Sequence, residues 1–388
     1  MFSSRLNWDA PPNPLLQSLA AKRAAGVEIL DLTESNPTRA GFDYSQLDLP
    51  TVLAHPDATR YQPSPRGLLA AREAIAGYYR GQRVHPDSIF LTASTSEAYS
   101  FLFKLLCDPG DEVLVPQPGY PLFDFLTTLD SVRPVYYSLG YEAAAGWRIN
   151  FERLEAAIGE RTRAIVVVSP HNPTGAFLNI VELAGLNALC ARHNLALIAD
   201  EVFFDYAAPT PRSGAPSVPA VGNTGALTFV LSGLSKVVGL PQVKLGWIQI
   251  SGPQPRATQC QRRLEFIADT YLSVSTSAQL AAPVLLARRD NIQSQIKNRI
   301  EANYRWLQEQ CADRVLSREG GWYAVLEFDD GVADDERVLK LLERDNVFVH
   351  PGYFYDFARE GYLVLSLLTP IAPFQAGVAR LLAENVKS

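Results

Sequence analysis

The stretch Leu231-Ser-Gly-Leu-Ser-Lys-Val-Val-Gly-Leu-Pro-Gln-Val-Lys-Leu-Gly-Trp247 decides how the chain is read. It closes an apolar run, 227–232, passes through small and hydroxyl residues, and sets Lys236 against Val237, Val238 and Leu240. Burial of that kind strips hydration from an ammonium, lowers its pKa and frees the amine to add to a carbonyl. Lys244 follows, and a further apolar run, 245–250, starts directly after it. A lone loop lysine is ordinarily just solvated, so the rest of the chain must supply the partners that make Lys236 chemical.

Working outward, short apolar runs at 88–92, 112–116, 134–138, 164–169, 195–200, 227–232 and 245–250 alternate with helical patterns at 68–80, 96–107, 119–129, 151–158 and 178–193. That rhythm predicts an α/β domain whose mainly parallel seven-stranded sheet lies between helices of crossover length. After Arg256 the pattern changes to long helices at 257–270 and 277–311, a strand at 322–328, a helix at 336–345 and a last apolar run at 362–368, an α+β arrangement. A chain of 388 residues exceeds what one core usually fills. The expected division is a large domain over 46–275 and a smaller one built from 1–45 and 276–388. Loops rich in Pro and Gly fall at 10–14, 62–67, 116–121 and 209–225.

Three other strand ends carry polar groups. Ser169-Pro-His-Asn-Pro-Thr-Gly175 follows the run 164–168, so Asn172 stands at a carboxyl end, where α/β sheets bind ligands. Asp200 and Glu201 close the run 195–199, and Thr92-Ala-Ser-Thr-Ser-Glu97 leads from a strand into a helix, offering N–H groups and hydroxyls to a phosphate. Each taken singly is also what a turn or a helix cap looks like. Hydroxyls, an amide, a carboxylate and a lysine at four strand ends together describe a cofactor site.

The order Tyr61-x-Pro-Ser-x-x-Gly67, Asn172-Pro-Thr-Gly, Asp200-Glu-Val and Ser235-Lys236 resembles fold-type I pyridoxal-phosphate enzymes, and among them the class I/II aminotransferases, over nearly the whole chain. The resemblance implies that Lys236 holds pyridoxal 5′-phosphate through a Schiff base and then shuttles the substrate proton, that Asp200 pairs with the pyridinium nitrogen, and that Asn172 donates to the phenolic oxygen. It implies that Tyr120 stacks on the ring and that Ser94, Thr95, Ser96, Ser235 and Lys244 hold the phosphate. Tyr61 would join them from a second subunit, so a homodimer is implied. Leu32-Thr-Glu-Ser-Asn-Pro37, Gly320-Gly-Trp-Tyr323 and Pro351-Gly-Tyr-Phe354 are further family-like stretches; Ser35 and Asn36 of the first would line the substrate entrance.

The chain departs from the family in four places. Phe203 stands where a tyrosine is usual, Gly233 where a serine is, and Lys244 where an arginine is. In Tyr362-Leu-Val-Leu-Ser-Leu-Leu368 the arginine that clamps the substrate carboxylate is replaced by Val364. A valine cannot bind a carboxylate. Arg39, just after the Ser35-Asn-Pro loop, is the expected substitute, with Arg66 second. The entrance stretches 2–8, 35–39, 120–123 and 353–357 are rich in aromatic residues and point to a bulky apolar substrate.

Composition excludes other classes. A net charge of −6 gives no field for nucleic acid or acidic lipid. The opening residues hold no continuous apolar run, so neither a leader nor a membrane anchor is expected. The four cysteines are widely spaced and form no C-x-x-C pair, in keeping with buried thiols in the cytoplasm. The five histidines lack ligand spacing, so no metal is expected. No G-x-G-x-x-G sequence supports a nicotinamide enzyme, and no helix-turn-helix segment makes the chain the sensor half of a regulator. The expected function is amino transfer between an amino acid and a 2-oxo acid. The rival is a lyase, decarboxylase or carbon–carbon bond-forming enzyme on the same scaffold, favoured by Val364.

Overall fold

The computed structural model describes residues 1–9, 11–209 and 216–383. Parts of the expected loops at 10–14 and 209–225, and the end of the expected small domain, lie outside these.

Eight strands form the main sheet: β1 (Ile89–Thr92), β2 (Glu112–Gln117), β3 (Arg133–Glu142), β4 (Gly146–Ile149), β5 (Thr162–Val168), β6 (Ala196–Asp200), β7 (Thr228–Gly233) and β8 (Gly246–Ser251). Their spatial order is β1-β8-β7-β6-β5-β2-β3-β4. Pairings β7·β6, β6·β5, β5·β2 and β2·β3 are parallel, and β8 runs antiparallel to both of its neighbours. The seven expected strands are all present. The eighth, β4, is a short edge ribbon folded back on β3.

Because side chains alternate between faces of a strand, a sheet covered on both sides reads as a continuous apolar run. In β5, Ala164 and Val166 enter one core with Phe90, Phe229 and Ile248, whereas Ile165 and Val167 enter another with Leu114, Leu197 and Val230. The helices Thr95–Leu106 and Arg256–Tyr271 cover the first face, and Ile180–His193 covers the second. The expected helix at 119–129 begins only at Phe123. A Cβ on Gly119 would stand 2.3 Å from the Pro116 carbonyl oxygen, and Pro121 biases the residue before it away from helix. The expected helix 277–311 is two, Thr276–Ala287 and Arg289–Cys311, with Arg289 Nη1 covering the Leu286 carbonyl of the first at 2.7 Å.

A second sheet is antiparallel: β9 (Tyr323–Glu327), β11 (Tyr362–Ser366) and β10 (His350–Pro351), in that order. Leu30–Asp31 pairs with Val347–Phe348, and Ser366 N–H donates to the Leu32 carbonyl, so the N-terminal segment is stitched to this sheet.

Register decides where the site lies. Thr92 pairs with Gly246 and Gly246 with Gly233, while Val168 pairs with Asp200 and Asp200 with Leu231. The carboxyl ends of β1, β5, β6 and β7 therefore reach one edge together. Gly175, in the loop after β5, docks on the approach to β9: its φ is +74° and a Cβ there would stand 2.5 Å from the Gly320 carbonyl oxygen. Gly175→Ala is expected to cost about 2 kcal/mol of unfolding free energy, seen as a lower urea midpoint at unchanged slope.

Candidate active site

Asp200 ends β6 and is 9% exposed. Its carboxylate accepts hydrogen bonds from Val202 N–H at 3.1 Å and from the Tyr99 hydroxyl at 3.1 Å. Burial pushes its pKa up to about 6, against the opposing effect of those two donors and of the Lys236 charge. Tyr99 was not singled out from sequence. It lies four residues after Thr95 in the same helix, the spacing that puts both on one face, and that was the available signal.

Lys236 belongs to the short helix Leu234–Val237 that follows β7. Its Nζ sits 4.7 Å from the centre of the Trp322 ring and 5.3 Å from that of Phe203. Burial lowers its pKa to about 8, with Asp200 pulling the other way. The Tyr206 hydroxyl donates to the Lys236 carbonyl at 2.7 Å and fixes the backbone that carries the amine. Thus Phe203, where the family has a tyrosine, is an apolar wall of the lysine cage. Trp322, just before β9, packs edge-on against it with ring centres 5.2 Å apart, a contact that only tertiary structure creates.

Asn172 is buried in the loop after β5, and its Oδ1 has no hydrogen-bond partner among the described residues. The loop is held by His171 N–H to the Ala176 carbonyl, Gly175 N–H to the His171 carbonyl, and a 2.9 Å contact between His171 Nδ1 and Thr174 Oγ1. Ser94 is the N-cap of the helix Thr95–Leu106, and its Oγ accepts from Glu97 N–H. A Cβ on Gly246 would stand 3.1 Å from the Ser94 carbonyl carbon and 3.2 Å from Thr92 Oγ1, tighter than a Cβ ordinarily sits, so glycine eases the close approach of β8 to this helix start. Ser94, Thr95, Ser96 and Ser235 are all partly buried around that approach, whereas Lys244 is exposed, in a left-handed backbone turn.

Tyr120 packs edge-on against Phe123, with ring centres 5.8 Å apart, and burial raises its pKa to about 12. Ser35 lies beside Tyr323, whose ring is 6.3 Å from Phe203. Other expected residues stand apart from the lysine cage in the single chain. Tyr61 is 76% exposed and lines a groove with Ser273, Val274 and Gln279. Arg39 faces solvent and pairs with Glu34 at 3.4 Å. Arg66, the second candidate for the carboxylate, is committed to Glu265 at 2.8 Å and to the Asp87 carbonyl at 2.7 Å. Val364 is buried among Trp147, Leu316, Val325, Tyr355 and Tyr362.

The chain matches the aminotransferase class I and II family over residues 28–369 and belongs to it. It is 29% identical to an alanine aminotransferase of Mycobacterium tuberculosis over 95% of this chain and 88% of that one. It is 32% identical to a glutamate–pyruvate aminotransferase of Escherichia coli over 72% of this chain and 68% of that one. The fold matches that of an alanine aminotransferase from Pyrococcus furiosus with a TM-score of 0.89 at 22% identity, over the whole of both chains. The protein is therefore a fold-type I, pyridoxal-phosphate-dependent aminotransferase that moves an amino group between an amino acid and a 2-oxo acid. The lyase, decarboxylase or bond-forming rival suggested by Val364 is not favoured.

The residues present fit that cofactor: a lysine beside two aromatic rings, a buried carboxylate, the buried Asn172 amide and a glycine-lined helix start lie at one sheet edge. Capture of the aldehyde requires a neutral amine. With the Lys236 pKa at about 8, the neutral fraction grows as pH rises through that value. Apoprotein mixed with pyridoxal phosphate is expected to develop its visible absorbance band faster as pH rises, levelling off above about pH 8, and Lys236→Ala is expected to give no band.

Proposed function

We propose that this aminotransferase uses Lys236 as both the attachment point and the proton carrier, and pyruvate–alanine as one of its two substrate pairs, with an apolar amino acid as the other. The observation that carries the reading is the setting of the lysine: Lys236 Nζ beside the adjoining Trp322 and Phe203 rings, on the edge that also bears Asp200 and Asn172. Support for the substrate comes from the relatives, which are named alanine, glutamate–pyruvate and valine–pyruvate aminotransferases and have alanine or pyruvate in common. Aromatic residues at the entrance, Tyr120, Tyr323, Tyr355 and Phe357, support the apolar partner.

When bound, pyridoxal phosphate supplies an aldehyde and an electron-accepting ring. In this reading Asp200 provides the negative charge for the ring nitrogen, and Tyr99 keeps that carboxylate oriented. Asn172 presents its amide to the phenolic oxygen and, with Phe203 unable to share the task, bears it alone. Tyr120 covers the ring face. Ser94, Thr95, Ser96 and Ser235 surround the phosphate, with Lys244 as a point charge. Lys236 Nζ, uncharged in a large fraction of molecules near pH 8, accepts the proton from the substrate Cα.

The reading includes a cytoplasmic homodimer in which Tyr61 reaches the phosphate of the partner's site. The exposure of Tyr61, Phe266 and Tyr271 supports a covered face there, and the four thiols, none of them in a disulfide, support a reducing compartment. No helix among the described residues is long and apolar enough to cross a membrane. The chain is divided in the same way as before, with 46–275 carrying the cofactor and 1–45 and 276–388 forming the smaller domain.

Ser35 and Asn36 line the entrance, and Arg39 contributes charge at its rim. Arg39→Ala is expected to raise KM for amino acids by no more than about threefold and to lose most of that effect in high salt, as an exposed charge should. A tenfold or larger rise would make Arg39 the carboxylate clamp itself. The reaction is tested by adding alanine, glutamate, valine and phenylalanine in turn to the loaded enzyme. Conversion of the absorbance to that of the amine form, with the matching 2-oxo acid released, is expected for alanine and for at least one apolar amino acid; no conversion by any of them would overturn the substrate reading.

A further inference from the structure

The position of the missing arginine has well-defined neighbours. Val364, in β11, pairs with Val325 of β9 on one side and His350 of β10 on the other, so the three side chains share one face of the small sheet. Tyr323, two residues before Val325, lies on that face too, across from Ser366. The Ser366 hydroxyl donates to the Glu34 carbonyl at 2.6 Å, which draws the Ser35 loop over the same face. Val364 is 1% exposed, and the space around it is filled by Trp147, Tyr355 and Tyr362.

Two of the aromatic rings here bear hydroxyls, and one of the two neighbours the Phe203 ring beside Lys236. The Tyr323 ring is 6.3 Å from Phe203, whose ring centre is 5.3 Å from Lys236 Nζ. The Tyr355 hydroxyl is 3.2 Å from His350 Nδ1, and the Tyr355 ring packs with Val364. Three arginines have partners of their own: Arg148 forms a two-point contact with Glu319, Arg318 is paired with Glu301 through Nη2 while its Nε and Nη1 have none among the described residues, and Arg299 donates to the carbonyls of Ala40 and Leu368.

We propose that the substrate carboxylate is seated by the phenolic hydroxyls of Tyr355 and Tyr323, with His350 as the positioning residue that orients the Tyr355 hydroxyl. The proposal rests on the amino-acid substrate of the reading above and names the groups that recognise it. Each phenol gives one O–H to a carboxylate oxygen. For Tyr355 to do so, its oxygen must accept from His350, which places the imidazole proton on Nδ1. Burial raises the pKa of both phenols, so both stay protonated donors through neutral pH. Two neutral donors hold a carboxylate less tightly than a guanidinium fork does.

The test compares 3-phenylpropionate with 3-phenylpropan-1-ol, a probe of the same shape without the charge, binding to the cofactor-loaded enzyme in a calorimeter. Tyr355→Phe and Tyr323→Phe are each expected to weaken the acid by about tenfold, to leave the alcohol unchanged and to leave the cofactor absorbance intact. His350→Phe should weaken the acid similarly, and His350→Asn, which keeps an N–H near the Nδ1 position, should restore most of the loss. In steady state the tyrosine variants should raise KM for amino acids and leave kcat nearly unchanged. Equal losses for acid and alcohol, no loss for either, or an unaltered wild-type preference in the double tyrosine variant would overturn the proposal. If no amino acid is converted and yet the wild-type enzyme prefers the acid through these tyrosines, the substrate reading fails while the seat stands.

Discussion

A buried carboxylate and a partly buried amine are held at the same edge of the sheet, and most of the architecture follows from holding them there. Asp200 is raised to about 6 and Lys236 lowered to about 8, each by burial and each opposed by the other's charge. Neither group would tolerate that setting in isolation, because an unpaired buried charge is costly. Val202 N–H and the Tyr99 hydroxyl offset the cost for Asp200, and the adjoining rings of Trp322 and Phe203 offset it for Lys236. The cost has a use. An amine that ionises near 8 can act as nucleophile and as base, and a poised carboxylate can take a cationic partner when one arrives.

The parallel sheet makes this arrangement possible. It brings the ends of β5, β6 and β7 to one edge, so that Asn172, Asp200 and Lys236 meet although they are far apart in the chain. The reversed strand β8 supplies Gly246, which approaches the helix start at Ser94 with less room than a Cβ ordinarily has. The second sheet contributes Trp322 and Tyr323 through the docking of Gly175 on Gly320. The cage around Lys236 is thus a joint product of two sheets.

Much of this was legible in sequence because the deciding residues stand where patterns change. Lys236, Asp200 and Asn172 each follow an apolar run that can only be a buried strand, and a polar group at such a boundary is conspicuous. Other features had no such mark. The strand β4 is four residues long and carries a single bulky apolar ring, Trp147, beside Arg148. The break between the helices Thr276–Ala287 and Arg289–Cys311 has neither Gly nor Pro at it, only Arg288. Tyr99 sits inside an apolar helix face where a tyrosine passes for core. Arg39 looked available because sequence does not show Glu34 beside it, and Arg66 because Glu265 is 199 residues away.

Replacing an arginine by Val364 removes attraction that the amino acid, the 2-oxo acid and the states between them would all feel alike. Interactions of that uniform kind lower KM without raising kcat. Their loss therefore weakens capture and spares the proton transfer proposed for Lys236 with Asp200 and Asn172. An enzyme that must release one acid before taking up the next also gains from a seat that lets go. With the guanidinium absent, discrimination shifts to shape, and the rings of Trp147, Tyr355 and Phe357 around the vacated position reward substrates with apolar surface over those with a second charge. The aromatic filling near Val364 and the apolar amino acid proposed as substrate are, on this argument, two consequences of one substitution.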